Sequence, residues 1–368
     1  MGPIVEYIRH IDILLYLVSA LILYVFYLFY LLPLSKKSKS LKDPKVWPAV
    51  SVIIAYKNEH ENLKYHLDHW LAQDYPEFEI ILVDDHSDDE SSEFLTFRKT
   101  ERMKLLSLNE ESGKKAAIQQ GIAASTNSFL LFTDADCKPM SNQWIKEMIK
   151  PLINGKEISV GYSGFYPKAN ILNAIQRYEN CMNSLQNAAM IKKGRAYMAV
   201  GRNLAYKKEI LTRNEIDIVD NVLSGDDDLL VNSASANGNT VFIGKPSAQT
   251  ISEAASDWKA YFFQRRRQLQ AGLYYRISDR IKLAVLGLSQ LLFILLFIKH
   301  LIYSEILSII LSIFVIKLVL QLSVSYKAMK RMGESDLWWQ LPILEIIYLP
   351  LISLIGISQY LYKVDRWK

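Results

Sequence analysis

An uncharged apolar run near the start of the chain limits the possible folds more than any other feature. No charged residue occurs from Ile13 to Leu34, and about 20 apolar residues are enough to cross the hydrocarbon core of a bilayer. A cleaved signal peptide would have a shorter core of about 7–15 apolar residues and a small-residue cleavage site. Here the run ends at Pro33 and a lysine cluster follows it. We therefore predict an uncleaved transmembrane anchor over residues 1–35.

Three further apolar stretches lie towards the other end of the chain, at about 281–298, 301–325 and 340–361. They predict a C-terminal transmembrane region over residues 281–368 with two or three spans. Basic residues cluster beside the apolar stretches, as is typical of cytoplasmic flanks. These clusters are Lys36, Lys37 and Lys39; Arg276, Arg280 and Lys282; and Lys327, Lys330 and Arg331.

The number of C-terminal spans stays open at this point. With the middle of the chain inside, four complete spans would place both termini outside. The basic residues Lys363, Arg366 and Lys368 instead favour an inside C-terminus. The two indications agree if one apolar stretch is re-entrant or interfacial.

The overall charge argues against a nucleic-acid partner. The chain carries 43 basic and 38 acidic residues, a net charge of +5, which is too small for an electrostatic footprint on nucleic acid. Its two cysteines, Cys137 and Cys181, form neither a disulfide framework nor a zinc-type spacing, and they fit a reducing compartment.

The middle of the chain reads as a globular domain over residues 49–255, after a polar linker at 36–48. Short β-branched runs at 50–55, 78–83 and 129–133 alternate with helical stretches. This alternation predicts an α/β fold with a parallel sheet covered on both faces, in which ligands bind at the carboxyl ends of the strands. All three predicted strands run into polar residues at that end.

Two carboxylates follow the third of these strands, at Asp134 and Asp136. Just past a strand they can face one pocket and hold a hard cation such as Mg²⁺ or Mn²⁺. Such a cation bridges a diphosphate and stabilises the charge on a departing nucleotide. The alternative is a loop with solvated aspartates, but the neighbouring acidic strand end favours the metal.

Residues near the other two strand ends are candidates for nucleotide binding. Asp85 ends the second strand and can accept hydrogen bonds from a base or ribose, and Tyr56 can stack on a base or pack internally. Asp88 and Asp89 are better explained as capping residues of the next helix. Lys114 opens a helix in a sequence that lacks the remaining residues of a P-loop, yet it can still contact diphosphate oxygens.

A third acidic cluster, at 226–228, predicts the general base. Removing a proton from an acceptor hydroxyl requires such a group, and like charge among neighbouring carboxylates raises a pKa. Asp227 is the first choice and Asp226 the second. The alternative is a plain capping turn.

Residues 256–280 predict an amphipathic interfacial helix, with Trp258, Phe262, Leu269 and Leu273 near one face. Its arginines at 265–267 suit phosphate oxygens or, alternatively, anionic lipid.

Taken in order, these segments resemble family 2 glycosyltransferases with a GT-A fold over roughly residues 49–275. The resemblance rests on AYKNE at 55–59, VDDHSDD at 83–89, GKKAAIQQG at 113–121, TDAD at 133–136, GRN at 201–203, GDDD at 225–228 and QRRRQ at 264–268.

The resemblance implies a role for each matching residue. Tyr56, Glu59, Asp85, Lys114, Asp134, Gln264 and Arg267 would bind the nucleotide sugar, Asp134 and Asp136 the metal, and Gly201, Arg202 and Asn203 would line the acceptor side. Asp227 would be the base of an inverting reaction, since no second nucleophile is positioned. The donor would be a UDP-sugar.

The membrane layout resembles bacterial members that build cell-surface glycans, which implies an inner-membrane protein with a cytoplasmic catalytic domain. The acceptor would be lipid-linked or a glycan, and the chain could form oligomers or co-assemble with other envelope-glycan enzymes. Gln268 stands where processive synthases have tryptophan, which favours limited transfer over polymerisation. A processive synthase and a non-catalytic nucleotide-binding membrane partner protein are the alternatives.

Overall fold

The computed structural model describes residues 3–35, 41–213, 226–303 and 306–361, and their regular structure is mostly helical. The helices are α1 (Pro3–Val25), α2 (His60–Leu71), α3 (Ser91–Phe97), α4 (Lys114–Ala124), α5 (Trp144–Ile153), α6 (Ile171–Lys192), α7 (Glu209–Arg213), α8 (Asp226–Ala234), α9 (Trp258–Gly272), α10 (Ile277–Tyr303), α11 (Leu307–Met332) and α12 (Leu341–Leu361). A π-helical turn at Phe26–Leu31 continues α1, and a 3-10 turn at Ser335–Gln340 precedes α12.

The strands form two sheets. They are β1 (Val50–Tyr56), β2 (Phe78–Asp84), β3 (Met103–Ser107), β4 (Phe129–Phe132), β5 (Lys138–Pro139), β6 (Ile158–Gly161), β7 (Ser163–Phe165), β8 (Leu204–Lys207), β9 (Thr240–Ile243) and β10 (Thr250–Ser252). The main sheet has the order β3-β2-β1-β4-β8-β6-β9, and β5, β10 and β7 form the small sheet.

The predicted α/β architecture is confirmed, with a mixed main sheet. Strands β1 to β4 pair in parallel, whereas β8 runs antiparallel to both β4 and β6. Most residues of β1, β2 and β4 are apolar and buried, because helices cover both faces of the sheet. Helix α4 approaches β1 so closely that a Cβ on Gly121 would lie 2.6 Å from Ile53.

Register brings the predicted strand ends together. Tyr56 at the end of β1 pairs with Asp84 of β2, and Ile53 of β1 pairs with Phe132, the last residue of β4. The residues that follow β2 and β4 therefore emerge at one edge of the sheet, where parallel sheets bind ligands.

Helices α1, α10 and α11 pack as a bundle beside this domain. Lys299 forms an ion pair with Asp12, and Tyr16 donates a hydrogen bond to the carbonyl of Ile310 at 3.1 Å. At the opposite end, Arg331 donates to the carbonyl of Leu34 at 2.9 Å. We call the end that holds Leu34 and Arg331 the domain end of the bundle, and the other its distal end.

Four helical segments of the described chain are long and apolar enough to cross a membrane: His10–Ser35, Ile277–Tyr303, Leu307–Met332 and Ser335–Gln359.

Helix α9 lies between the domain and the long apolar helices. Its predicted apolar face is divided, since Trp258 is 48% exposed whereas Phe262 packs against the core shared with the bundle. Its arginines also differ from simple lipid-facing residues. The guanidinium of Arg265 lies 2.6 Å from the carboxylate of Glu179, and Arg266 is 5% exposed, so both are directed into the protein.

Candidate active site

The end of β2 places Asp85 beside the loop that precedes α4. The residue is 2% exposed, and its Oδ1 accepts a hydrogen bond from the backbone N–H of Gly113 at 2.8 Å. Gly113 has a φ of +104°, a conformation that glycine adopts without strain. Within the described ranges, Asp85 Oδ2 receives no hydrogen bond, and Lys57 Nζ lies 3.9 Å from it. Asp85 Oδ2 can therefore accept a hydrogen bond from a ligand.

Lys114, at the first position of α4, joins this edge to the end of β4. Its Nζ lies 2.5 Å from Asp134 Oδ1. Burial alone would lower the pKa of Lys114, but the negative charges of Asp134, Asp227 and Asp136 outweigh burial and raise it. Carboxylates from two distant parts of the chain thus surround one ammonium group.

Asp136 lies deeper in the same cluster. Burial and the neighbouring Asp134 carboxylate raise its pKa, and Arg202 and a hydrogen bond from Cys137 Sγ, 3.3 Å from Asp136 Oδ1, oppose this rise. The ionised form of Asp136 is therefore short of positive charge in the protein alone, which is the condition that a bound cation relieves.

Asp134 and Asp136 fit a divalent cation that is shared with a substrate. Among the described residues, no group of three or more His, Cys, Asp or Glu side chains is arranged to hold a metal ion. Mg²⁺ commonly uses only one or two protein carboxylates and completes its shell with substrate phosphates and water. The pair therefore fits a diphosphate-bridging ion better than a cage built by protein ligands alone.

Asp227 approaches this cluster from α8 and lies against the turn at Gly201–Asn203. A Cβ added to Gly201 would lie only 1.8 Å from Asp227 Oδ2. The absence of a side chain at position 201 is what allows the carboxylate to sit there. Asp226, the second candidate base, begins α8, and its side chain lies outside the described part of the chain.

Gly201→Ala is expected to lower kcat at least about 10-fold, because the added methyl group displaces the Asp227 carboxylate and small misplacements of catalytic groups are costly. Nucleotide binding should stay unchanged. Steady-state kinetics together with nucleotide titration measure both quantities. Gly272→Ala is the control, since its added Cβ meets nothing within 4 Å. Wild-type kcat in Gly201→Ala would contradict the placement of Asp227.

Arg202 and Asn203 have different surroundings. The guanidinium of Arg202 donates to Ser252 Oγ at 2.9 Å and lies over the Phe165 ring, close enough to Asp136 to affect its pKa. Asn203 is 0% exposed. Its Nδ2 donates to two backbone carbonyls, and its Oδ1 accepts from Trp144 Nε1 at 2.9 Å.

Asn203 is thus a buried structural residue, and its role on the acceptor side stays a prediction. The hydrogen bonds of its amide hold the turn at Gly201–Asn203 to the core. A buried amide without these partners would destabilise the fold.

Two predicted nucleotide contacts lie apart from the carboxylate cluster. Tyr56 is 5% exposed, and its hydroxyl forms a hydrogen bond with Ser92 Oγ at 3.1 Å, so its ring belongs to the core. Glu59 accepts a hydrogen bond from Asn62 at 2.5 Å beside an open groove of about 620 Å³. Because that groove is lined mainly by carboxylates, it would repel a diphosphate. Contacts from Tyr56 and Glu59 stay predictions.

Gln264 and Arg267 lie on α9, which packs against α8. Arg267 Nε is buried, and the described residues offer it no hydrogen-bond partner. Burial lowers the pKa of Arg267. A buried guanidinium N–H of this kind is suited to an anionic ligand.

Sequence reasoning missed two residues that contact each other behind the site, Asp228 and Tyr275. The Tyr275 hydroxyl lies 3.1 Å from Asp228 Oδ2, although the two residues are 47 positions apart. No local pattern relates them, so the sequence alone offered no signal for the pair.

Comparison with known proteins gives two kinds of match. Residues 51–213 match the family model for glycosyl transferase family 2. The glycosyltransferase AglE of Haloferax volcanii is 28% identical over 173 residues, which are 46% of this chain and 54% of AglE. The poly-beta-1,6-N-acetyl-D-glucosamine synthase of Staphylococcus epidermidis is 33% identical over 88 residues, 24% of this chain and 21% of the synthase. The chain thus spans about half or less of these relatives.

A solved structure matches across nearly the whole chain. It is the mannosyltransferase PcManGT of Pyrobaculum calidifontis, in complex with GDP-Man and Mn²⁺. The identity is 17% and the TM-score 0.59, and the match covers 92% of this chain and 98% of that one. At this identity the similarity concerns the fold.

Proposed function

Because the chain belongs to glycosyl transferase family 2, through a GT-A domain that includes residues 51–213, we propose that it is an inverting sugar transferase of a membrane surface. It takes the sugar from a nucleoside diphosphate donor and passes it to a lipid-linked or glycan acceptor. The observation that carries this proposal is the cluster of Lys114, Asp134, Asp136 and Asp227 at the carboxyl edge of the sheet.

We assign the residues that contact the nucleotide-sugar donor from the charges of their side chains. Asp134 and Asp136 would hold Mn²⁺ or Mg²⁺, which would supply Lewis-acid stabilisation of the leaving diphosphate. Lys114 contacts diphosphate oxygens when the donor draws it from Asp134, and Arg267 contributes a second cationic group. The free Oδ2 of Asp85 accepts a hydrogen bond from the nucleoside.

Asp227 acts on the acceptor side as general base. Its carboxylate takes the proton of the acceptor hydroxyl while that oxygen bonds to the anomeric carbon. The bond between this carbon and the diphosphate oxygen breaks, and the nucleoside diphosphate leaves with the electron pair. A single displacement of this kind inverts the anomeric configuration. Arg202 stays beside Asp136 and helps to hold the Gly201 turn at the acceptor side.

The test is donor hydrolysis and transfer by detergent-purified protein against a panel of UDP-, GDP- and dTDP-sugars. We expect nucleoside diphosphate release from one donor, lost with EDTA and restored by Mn²⁺ or Mg²⁺. A UDP-sugar is our first choice from the family resemblance, and GDP-mannose is included because PcManGT was solved with it. If no donor in the panel releases nucleoside diphosphate with membrane lipid present, the proposal is wrong. A product that NMR shows to retain the anomeric configuration would overturn inversion.

We also propose that α12 is re-entrant and that only α1, α10 and α11 span the membrane. The contacts of α12 support this layout. Just before it, Asp336 pairs with Arg177 of α6 at 2.7 Å, and near its end Gln359 donates to the carbonyl of Arg266 on α9 at 2.6 Å. Between them, Tyr348 donates to Glu179 of α6 at 2.8 Å.

This set of contacts supports a re-entrant α12 rather than a spanning one. Helix α12 rises about 30 Å, so a full span would carry Gln359 to the distal end, beside Asp12 and Lys299. Instead, Glu345 reaches Lys317 within the bundle and Gln359 returns to α9. Pro350 inside α12 permits a bend. This layout also agrees with the basic residues at the end of the sequence.

Cysteine labelling in intact cells tests the three-span layout. A membrane-impermeant maleimide should label Tyr303→Cys, at the distal end, from outside, whereas Lys368→Cys should react only after the membrane is permeabilised. The native Cys137 and Cys181 are both 0% exposed and give little background. Labelling of Lys368→Cys in intact cells would show four spans. The placement in a bacterial inner membrane and the formation of oligomers stay predictions.

A further inference from the structure

Helix α8, which carries Asp227, is held to the rest of the protein by hydrogen bonds to the next residue, Asp228. Asp228 Oδ1 accepts a hydrogen bond from the backbone N–H of Ala199 at 3.0 Å, and Oδ2 accepts one from the Tyr275 hydroxyl at 3.1 Å. Successive residues of a helix point about 100° apart. Holding the Asp228 carboxylate at both oxygens therefore also fixes the direction in which Asp227 points.

The second turn of α8 also contacts the segment that follows Tyr275. Asn232 accepts a hydrogen bond from the backbone N–H of Arg276 at 3.0 Å and donates to Asp279 at 3.1 Å. Asp279 also pairs with Arg195 at 2.6 Å. Tyr275, Arg276 and Asp279 thus connect α8 to the first turn of α10, which leads into the membrane bundle.

We propose that Asp228 and Tyr275 are positioning residues, which hold the Asp227 carboxylate in place by locking α8 to the entry of membrane helix α10. This inference rests on the proposed function of Asp227 as general base. On the side opposite Tyr275, the Ala199 contact joins α8 to the segment that ends at Gly201, against which Asp227 lies. The geometry of the base is thereby set by a membrane helix and the Gly201 turn together.

The surroundings of Asp228 distinguish it from a base. Burial raises the pKa of Asp228 to about 7, and the charge of Asp227 adds to this effect against the two hydrogen bonds that Asp228 accepts. Such a pKa would suit proton transfer. However, both oxygens are held by protein donors, whereas a base needs an oxygen that faces the acceptor hydroxyl.

Tyr275→Phe tests the proposal with the smallest structural change. It removes only the hydroxyl and leaves the ring that packs against Tyr197. We expect kcat to fall roughly 10- to 100-fold, with the donor KM within about two-fold of wild type. The ratio of sugar transferred to sugar hydrolysed should also fall. A displaced base no longer lies beside the hydroxyl of the bound acceptor, whereas mobile water can still reach it. Asp228→Asn should show the same pattern, and the double variant should add little.

Tyr75→Phe is the matched control. Its hydroxyl also donates one hydrogen bond from a buried ring, to the carbonyl of Pro48 at 2.6 Å, away from the carboxylate cluster. It should lose a similar small amount of thermal stability and keep wild-type kcat.

The outcomes separate this inference from the proposed function. A wild-type protein that releases no nucleoside diphosphate from any donor defeats the proposed function itself. An active wild type with unchanged kcat in Tyr275→Phe and Asp228→Asn defeats only the positioning role. A loss in Tyr275→Phe that Tyr75→Phe matches, or one that appears in donor KM, would make the contact merely structural and overturn the inference as well.

Discussion

Asp227→Asn is expected to lower kcat by about 1,000-fold, within the 10²–10⁴-fold range of general acid–base catalysis. The asparagine amide has nearly the size of the carboxylate, so it can occupy the space left open by Gly201, but it cannot take the proton of the acceptor hydroxyl. In the proposed mechanism, donor binding depends on Lys114, Asp134 and Asp136 instead. The donor KM and the affinity for the nucleoside diphosphate should therefore change by less than about two-fold.

Single-turnover kinetics and nucleotide titration on the same preparation measure these quantities. Asp88→Asn is the matched control, since Asp88 is an exposed aspartate of the loop after β2 and should keep wild-type kcat. If Asp227→Asn weakens donor binding as much as it slows transfer, Asp227 belongs to the donor site and the base must be sought elsewhere.

Asp136→Ala is expected to abolish metal-dependent donor turnover, with a loss of at least about 100-fold. A bound divalent cation contributes several kcal/mol of charge stabilisation to the departing diphosphate, and Asp136 is one of the two carboxylates that we propose to hold it. Activity titrations with Mn²⁺ and Mg²⁺ give the first readout. Direct Mn²⁺ binding, followed by electron paramagnetic resonance without donor, gives a second that does not depend on turnover.

Thermal unfolding distinguishes loss of the metal from loss of the fold. Burial and Asp134 raise the pKa of Asp136 above its ordinary value, so ionising this carboxyl group costs more free energy in the folded than in the unfolded state. Removing it should leave Tm in EDTA unchanged or higher. Asp74→Ala, which deletes an exposed aspartate paired with Lys146, is the control and should keep both activity and Mn²⁺ binding. Retained turnover in Asp136→Ala would remove the metal assignment.

The structure brings closest together those predicted site residues that follow a strand end. Asp85, Lys114, Asp134 and Asp136 all lie at or beside the carboxyl edge of the sheet, because parallel strands in register bring their ends to one edge. Asn203 differs from them, because this polar residue of a motif is a buried tie between the Gly201 turn and the core. Motif matching cannot separate such a tie from a ligand contact, since both place a polar side chain at a fixed position.

What the sequence by itself determined were the features that depend on local periodicity and composition. Apolar runs long enough for a bilayer, alternating strands and helices, and carboxylates that follow strands are all legible along the chain. The tertiary structure alone decided which distant residues meet. It brought Asp227 against Gly201, joined Tyr275 to Asp228 and returned Gln359 to α9. These contacts depend on how the helices pack across the domain and the bundle, and local pattern places no limit on that packing.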